Sequence, residues 1–201
     1  VQTLIDYRVE GIITASVSIS NDLTSRLVSH GIPVVNFNRG QDDPSLTDIT
    51  SNNTAGAQAA TRFLIAAGHC RIAHVMGWQG SSTGRDRATG FRQAMADAGL
   101  EPFAMIDGMY DRETASRVTL DLFREGRGPD AIFVGNDHMA FAVMDTLRDR
   151  LGLRVPDQVS VIGYDDVPMA AWPAYALTTI HQPVEQMVTA TVTAILNRIA
   201  A

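Results

Sequence analysis

Lysine is missing altogether: the sixteen basic residues of this 201-residue chain are all arginine. That absence removes a phosphate-loop G-K-[ST], a lysine Schiff base and a lysine general base together. Cysteine is represented by Cys70 alone, so no internal disulfide is available, which is compatible with a reducing compartment such as the cytoplasm. No apolar run approaches the ~20 residues that a membrane helix needs. The first residues lack the basic-then-apolar pattern of a secretory signal. They open at Val1, without Met, in what reads as the middle of a helix, so the chain is expected to be a fragment. The net charge of −6 is spread along the sequence without an arginine block, and such a surface does not track nucleic-acid phosphates.

What is present is an ordinary globular composition, 45% hydrophobic and 19% charged, which excludes intrinsic disorder. Short β-rich apolar runs alternate with longer segments of helical period, the pattern of β/α units around a parallel sheet. Strands are expected at Gly11–Thr14, Pro33–Phe37, Arg71–Val75, Phe103–Ile106, Ala131–Val134 and Val159–Ile162, with shorter ones at Thr47–Thr50 and Leu177–Ile180. Helices are expected near 21–30, 53–67, 85–98, 111–125, 137–151 and 184–200. Gly31, Gly68 and Gly99 stand where left-handed C-terminal caps are wanted, and Pro183 suits a first helical turn. The polar stretch Asn38–Ser45 is the most loop-like segment.

In open α/β sheets ligands bind beyond the carboxyl ends of the strands. Those positions hold Asn38, Arg39, Trp78, Arg85, Arg87, Tyr110, Asn136, Asp137, Asp165, Asp166, His181 and Gln182. Planar amides, carboxylates and guanidinium forks each meet two adjacent hydroxyls or ring heteroatoms, and an aromatic covers an apolar face. The set therefore suits a sugar-like or purine-like ligand. The competing reading is that Asn136 and Asp137 only cap the helix that follows them.

Two other chemistries are spelled by short motifs. Gly80-Ser-Ser-Thr-Gly84 fits the nucleophile-elbow pattern, and Ser82, Asp165 and His181 follow the chain order of an α/β-hydrolase triad. Here, however, Gly77-Trp-Gln-Gly intervenes between the strand and the turn, which disfavours a serine hydrolase. His69, Cys70 and His74 are ligand-competent, but their spacing spans a helix end and a strand. The plainer expectation is a histidine at a helix C-terminus and a small buried thiol. No catalytic residue, metal or cofactor is expected.

Six segments, in order, resemble the LacI/GalR regulators: Gly31-Ile-Pro-Val-Val35, Gly68-His-Cys-Arg-Ile-Ala73, Arg87 before Gly90-Phe91, Pro129–Asp137, Pro156–Asp166 and Leu177–Pro183. The resemblance implies two Rossmann-like lobes with parallel sheets, of the periplasmic-binding-protein-like type I fold, truncated at both ends. It assigns residues 1–50 plus 183–201 to a partial N-terminal lobe and 51–182 to the C-terminal lobe. It also implies that a small-molecule effector closes the lobes and that this motion controls operator DNA binding, as a homodimer, through a helix-turn-helix absent from this chain. The ligand residues it carries over are Arg87, Asp165, Asn136, Gln182, Asn38 and Tyr110, with Trp78 and Arg85 beside them. The apolar stretch Val167–Pro173 is expected at a subunit interface. The nearest alternative is an exported sugar-binding protein of a transporter, which shares fold and cleft chemistry.

Overall fold

The structure is a computed structural model, and it describes residues 9–15, 24, 26, 27, 29–41 and 46–200. The helix expected over Val1–Val9 lies outside them except for its last residue, as do residues 42–45 of the polar loop. The chain divides into two compact units. One comprises residues 1–51, 81–83 and 183–201, the other residues 52–80 and 84–182.

The first unit carries a parallel sheet of β1 (Ile12–Thr14), β2 (Val34–Phe37) and β3 (Thr47–Ile49), in that order. Thr24, Arg26, Leu27 and Ser29 are helical and His30 is in a turn, while residues 21–23, 25 and 28 of the helix expected near 21–30 lie outside the described residues. Leu27, Ile32 and Val34 form its buried apolar cluster. The helix Val184–Ile199, labelled α5 below, buries Met187, Thr191 and Ile195 at a spacing of four, the stripe that a helix lays on a sheet.

The second unit is a five-stranded parallel sheet flanked by helices. Its strands are β4 (Ile72–Met76), β5 (Ala104–Asp107), β6 (Ala131–Val134), β7 (Ser160–Asp165) and β8 (Thr178–His181), in the order β5-β4-β6-β7-β8. Its helices are α1 (Asn53–Ala66), α2 (Ser82–Asp97, of which Gly84 onward belongs to this unit), α3 (Arg112–Leu122) and α4 (Asp137–Asp145). β4 and β6 are buried at every position because both faces are covered, so they read as near-continuous apolar runs, interrupted only by His74 in β4. Ile72, Phe133, Ile162 and Tyr164 pack with Ala57, Leu64, Phe91 and Met95 of α1 and α2. The alternate residues Ala73, Val75, Ile132 and Val161 pack with Val118, Ala140, Val143 and Leu147 on the other face. Each buried Val, Leu, Ile, Phe or Met side chain among them contributes about 1.5–3 kcal/mol.

Gly31, Gly68 and Gly99 take positive φ, as C-terminal caps require. Three helix boundaries differ from the expected ones. α2 begins at Ser82 rather than near 85, its first turn being polar residues that resemble a loop. α3 stops at Leu122, and Asp111 caps it by accepting Thr114 N–H. α4 gives way after Asp145 to a π-helical turn, Thr146–Arg150, closed by Leu151 N–H on the Thr146 carbonyl. Among the described residues no helix is long and apolar enough to cross a membrane.

Candidate functional site

In the second unit the chain runs from β4 to β5 on one side, then crosses back to β6 on the other. In open α/β sheets such a reversal, here at the carboxyl ends of β4 and β6, is where ligands bind. Gly77 and Gly135 end these two strands, and a Cβ on Gly135 would lie 2.6 Å from the Gly77 nitrogen. Glycine is needed there because the strand ends approach so closely.

Arg87 reaches this place from α2. Its helix is drawn against α1 at Gly90, where any Cβ would overlap the Thr54 carbonyl oxygen. The guanidinium donates to Asn53 Oδ1 at 2.9 Å, to the Gly135 carbonyl at 2.5 Å and to Asp165 Oδ1 at 3.4 Å. It lies 3.7 Å from the centre of the Tyr164 ring, a cation–π contact. Gly56 on α1 makes room for that tyrosine, since a Cβ there would overlap its hydroxyl. Arg87 is 2% exposed, so its charge is held by protein acceptors and not by water.

Asp165 ends β7 and receives a second donor, Gln182 Nε2, at 2.7 Å on the same Oδ1. Its Oδ2 takes no hydrogen bond among the described residues, and the side chain keeps 24% exposure. Burial raises its pKa above the ordinary carboxylate value, against the opposing pull of Arg87 and Gln182. Asp165 and Asp166 both have positive φ, 128° and 60°, a conformation costly for residues other than glycine.

Asn136 caps α4: its Oδ1 accepts Met139 N–H at 3.0 Å, as the capping reading expected. Its Nδ2 makes no hydrogen bond among the described residues and stands at the end of β6. Trp78 and Tyr110 follow β4 and β5. Trp78, 37% exposed, lies against Gly80, and the Tyr110 ring lies over Gly77. Met109, at φ 58° and 49% exposed, stands beside Tyr110. Arg85 is exposed and donates to the Gly80 carbonyl at 3.3 Å. Asn38 belongs to the first unit, at the end of β2, with φ 69° and a buried Oδ1 that has no hydrogen-bond partner among the described residues.

The structure thus joins Arg87, Asp165 and Gln182 directly and adds Asn53, Tyr164 and the Gly135 carbonyl. A second asparagine after the α1 cap, and a large tyrosine just before an aspartate at a strand end, are the signals that point to the first two.

Among the described residues, the side chains of the two rival motifs meet other partners. His181 Nδ1 meets Asp166 Oδ2 at 2.9 Å, not Asp165, and Ser82 Oγ accepts Gly40 N–H at 2.9 Å. Among the described residues no group of three His, Cys, Asp or Glu side chains is placed to hold a metal ion. His69 pairs with Asp130 at 3.5 Å. Cys70 is exposed and not buried as expected, since it falls in the solvent-facing turn after the Gly68 cap.

Residues 61–201 match the family model described as a periplasmic binding protein-like domain. The HTH-type transcriptional repressor PurR of Photobacterium profundum is 34% identical over 199 residues, 98% of this chain and 59% of that protein. Among solved structures, a LacI transcriptional regulator from Rhodococcus superposes with a TM-score of 0.91 at 30% identity, over all of this chain and 74% of that one. The complex of the transcriptional regulator CelR with cellobiose gives 0.86 at 30% identity, over 99% of this chain and 63% of that one. The chain therefore spans about three fifths of the length of the curated relatives it matches.

Proposed function

This chain belongs to the LacI family of transcriptional regulators, through its periplasmic-binding-protein-like domain, and we propose that it binds the small-molecule effector of such a regulator. The relatives are named as HTH-type repressors, and operator binding is assigned to the parent protein, in the cytoplasm, outside these residues. Effector binding biases two states of that protein, and its influence on DNA equals its difference in affinity for them.

One observation carries the ligand class: Arg87 is buried and already matched by Asp165, while the Asp165 Oδ2 acceptor and the Asn136 Nδ2 donors, on half-buried side chains, are left without a hydrogen bond among the described residues. A neutral ligand with adjacent hydroxyls satisfies such a pair, and an anion meets a carboxylate. Trp78, Met109 and Tyr110 supply apolar surface along the same edge of the sheet. The assignment is binding without turnover, and it fits a sugar more closely than a sugar acid or phosphate.

A thermal-shift screen of ribose, cellobiose, galacturonate, inorganic phosphate and adenine tests it, repeated on Arg87→Ala. A neutral sugar is expected to raise the melting temperature of the wild type and not of the variant. A hit that survives the substitution unchanged places the site elsewhere.

The parent protein is proposed to be a homodimer with Val167–Pro173 at the interface. Pro168–Ala171 is a 3₁₀ turn, and Trp172 after it is 53% exposed, an apolar surface larger than a solvated loop needs. Light scattering of the intact protein at micromolar concentration is expected to give a dimer. Trp172→Glu is expected to give a monomer.

A further inference from the structure

Asp137 has the sequence of a helix cap, but Asn136 performs the capping of α4. Asp137 itself is fully buried. Its Oδ2 accepts Val167 N–H at 2.9 Å, and its Oδ1 accepts the Thr179 hydroxyl at 2.6 Å. The Thr179 oxygen in turn receives Asp166 N–H at 3.4 Å. Gly163, on β7, leaves open the space that the carboxylate fills, because a Cβ there would overlap Asp137 Oδ1. A buried carboxylate lowers stability unless several donors surround it, and here burial raises its pKa against those donors. Its position in the first turn of α4 adds the favourable end of the helix dipole.

The donors it gathers belong to the segment just after β7 and to β8. Asp165 and Asp166 hold positive φ without being glycine, and such residues persist only where their surroundings over-determine them. Glycine adopts that backbone without strain, but it carries no carboxylate.

We propose that Asp137 is the positioning residue of the ligand site. Directly at Val167, and through Thr179 at Asp166, its carboxylate holds the strained turn that aims the Asp165 side chain at Arg87 and Gln182. This rests on the reading of Asp165 as an effector contact.

The test uses Thr179→Val, which removes one donor at nearly constant shape, together with Asp137→Asn and a reference Asp165→Ala. The first readout needs no ligand: hydrogen exchange of the Gln182 side-chain amide, followed by NMR, which reports the 2.7 Å bond to Asp165. In Thr179→Val exchange is expected to quicken about tenfold or more, approaching Asp165→Ala, while the β4 and β6 backbone amides stay protected. A rate within about twofold of wild type overturns the proposal, as does a rise matched by the β4 and β6 amides, which marks general destabilisation. Cellobiose affinity by calorimetry is the second readout. An unchanged affinity in Thr179→Val with a weakened one in Asp165→Ala overturns the positioning role alone. Cellobiose binding that ignores Asp165→Ala overturns the effector-contact reading, and the amide exchange still decides the positioning.

Discussion

His74 makes stability depend on pH in a way that can be worked out in advance. It lies in the middle of β4, fully buried, stacked on Phe133 at 4.4 Å with 5° between the rings and tilted against Phe91 at 5.0 Å. Nδ1 donates to the Phe133 carbonyl at 2.9 Å, which leaves Nε2 as a lone pair with no partner among the described residues. Protonation there places a charge in an apolar core beside Arg87 and Arg92. Burial first, then these arginines, lower the pKa from 6.5 to about 4, against the pull of the Phe133 carbonyl. Between those values the unfolded chain binds the proton and the folded one does not, so stability falls as pH falls. At about 1.4 kcal/mol per pKa unit, the loss between pH 7 and pH 4 is about 3 kcal/mol. Asp137 and Asp165, whose pKa values are raised, act in the opposite sense, gaining stability as pH falls. The comparison with His74→Phe therefore isolates the histidine. The two tryptophans, Trp78 and Trp172, both lie in the second unit, so urea unfolding followed by their fluorescence reports on the right body. The advantage of wild type over the variant is expected to shrink by about 3 kcal/mol between pH 7 and pH 4. A difference constant to within about 0.5 kcal/mol would refute the assignment of a neutral, unpaired Nε2.

Other perturbations have defined outcomes. Gly90→Ala forces α2 away from the Thr54 carbonyl and is expected to cost about 1–3 kcal/mol in urea unfolding, with weaker effector binding because Arg87 moves with the helix. Phe91→Ala, at a fully buried position, is expected to cost about 3–5 kcal/mol on the same assay while leaving residual affinity when folded. Asn136→Ala removes the α4 cap and is expected to cost about 1 kcal/mol of stability, with a further loss of affinity that a purely capping role does not produce.

The architecture was legible because the physics that makes it is local. β4 and β6 are apolar at nearly every position since both faces are covered, and the glycine caps at Gly31, Gly68 and Gly99 each need a positive φ that the sequence advertises. The errors fall where local signals conflict. Ser82-Thr83 looks like loop although α2 has begun, and apolar periodicity runs on through Thr146–Arg150 although the hydrogen bonding has widened to a π turn.

The candidate site was legible in part, through Arg87, Asp165 and Gln182, which the fold brings together. Asn53 and the Gly135 carbonyl meet Arg87 across 34 and 48 residues, pairings that only the fold creates. Asp137 was hidden for a different reason: a carboxylate next to a capping asparagine has a sufficient local explanation, and its bonds to Val167 and Thr179 span 30 and 42 residues.

The central claim is that a neutral, hydroxyl-bearing effector binds at Asp165 and Arg87. Calorimetric titration of wild type and Asp165→Asn with ribose, cellobiose and galacturonate tests it most directly. Ribose or cellobiose is expected to bind the wild type, and Asp165→Asn, which loses the charged acceptor, is expected to weaken that binding about 10- to 100-fold. Binding of galacturonate alone, or equal affinity in the variant, would contradict it.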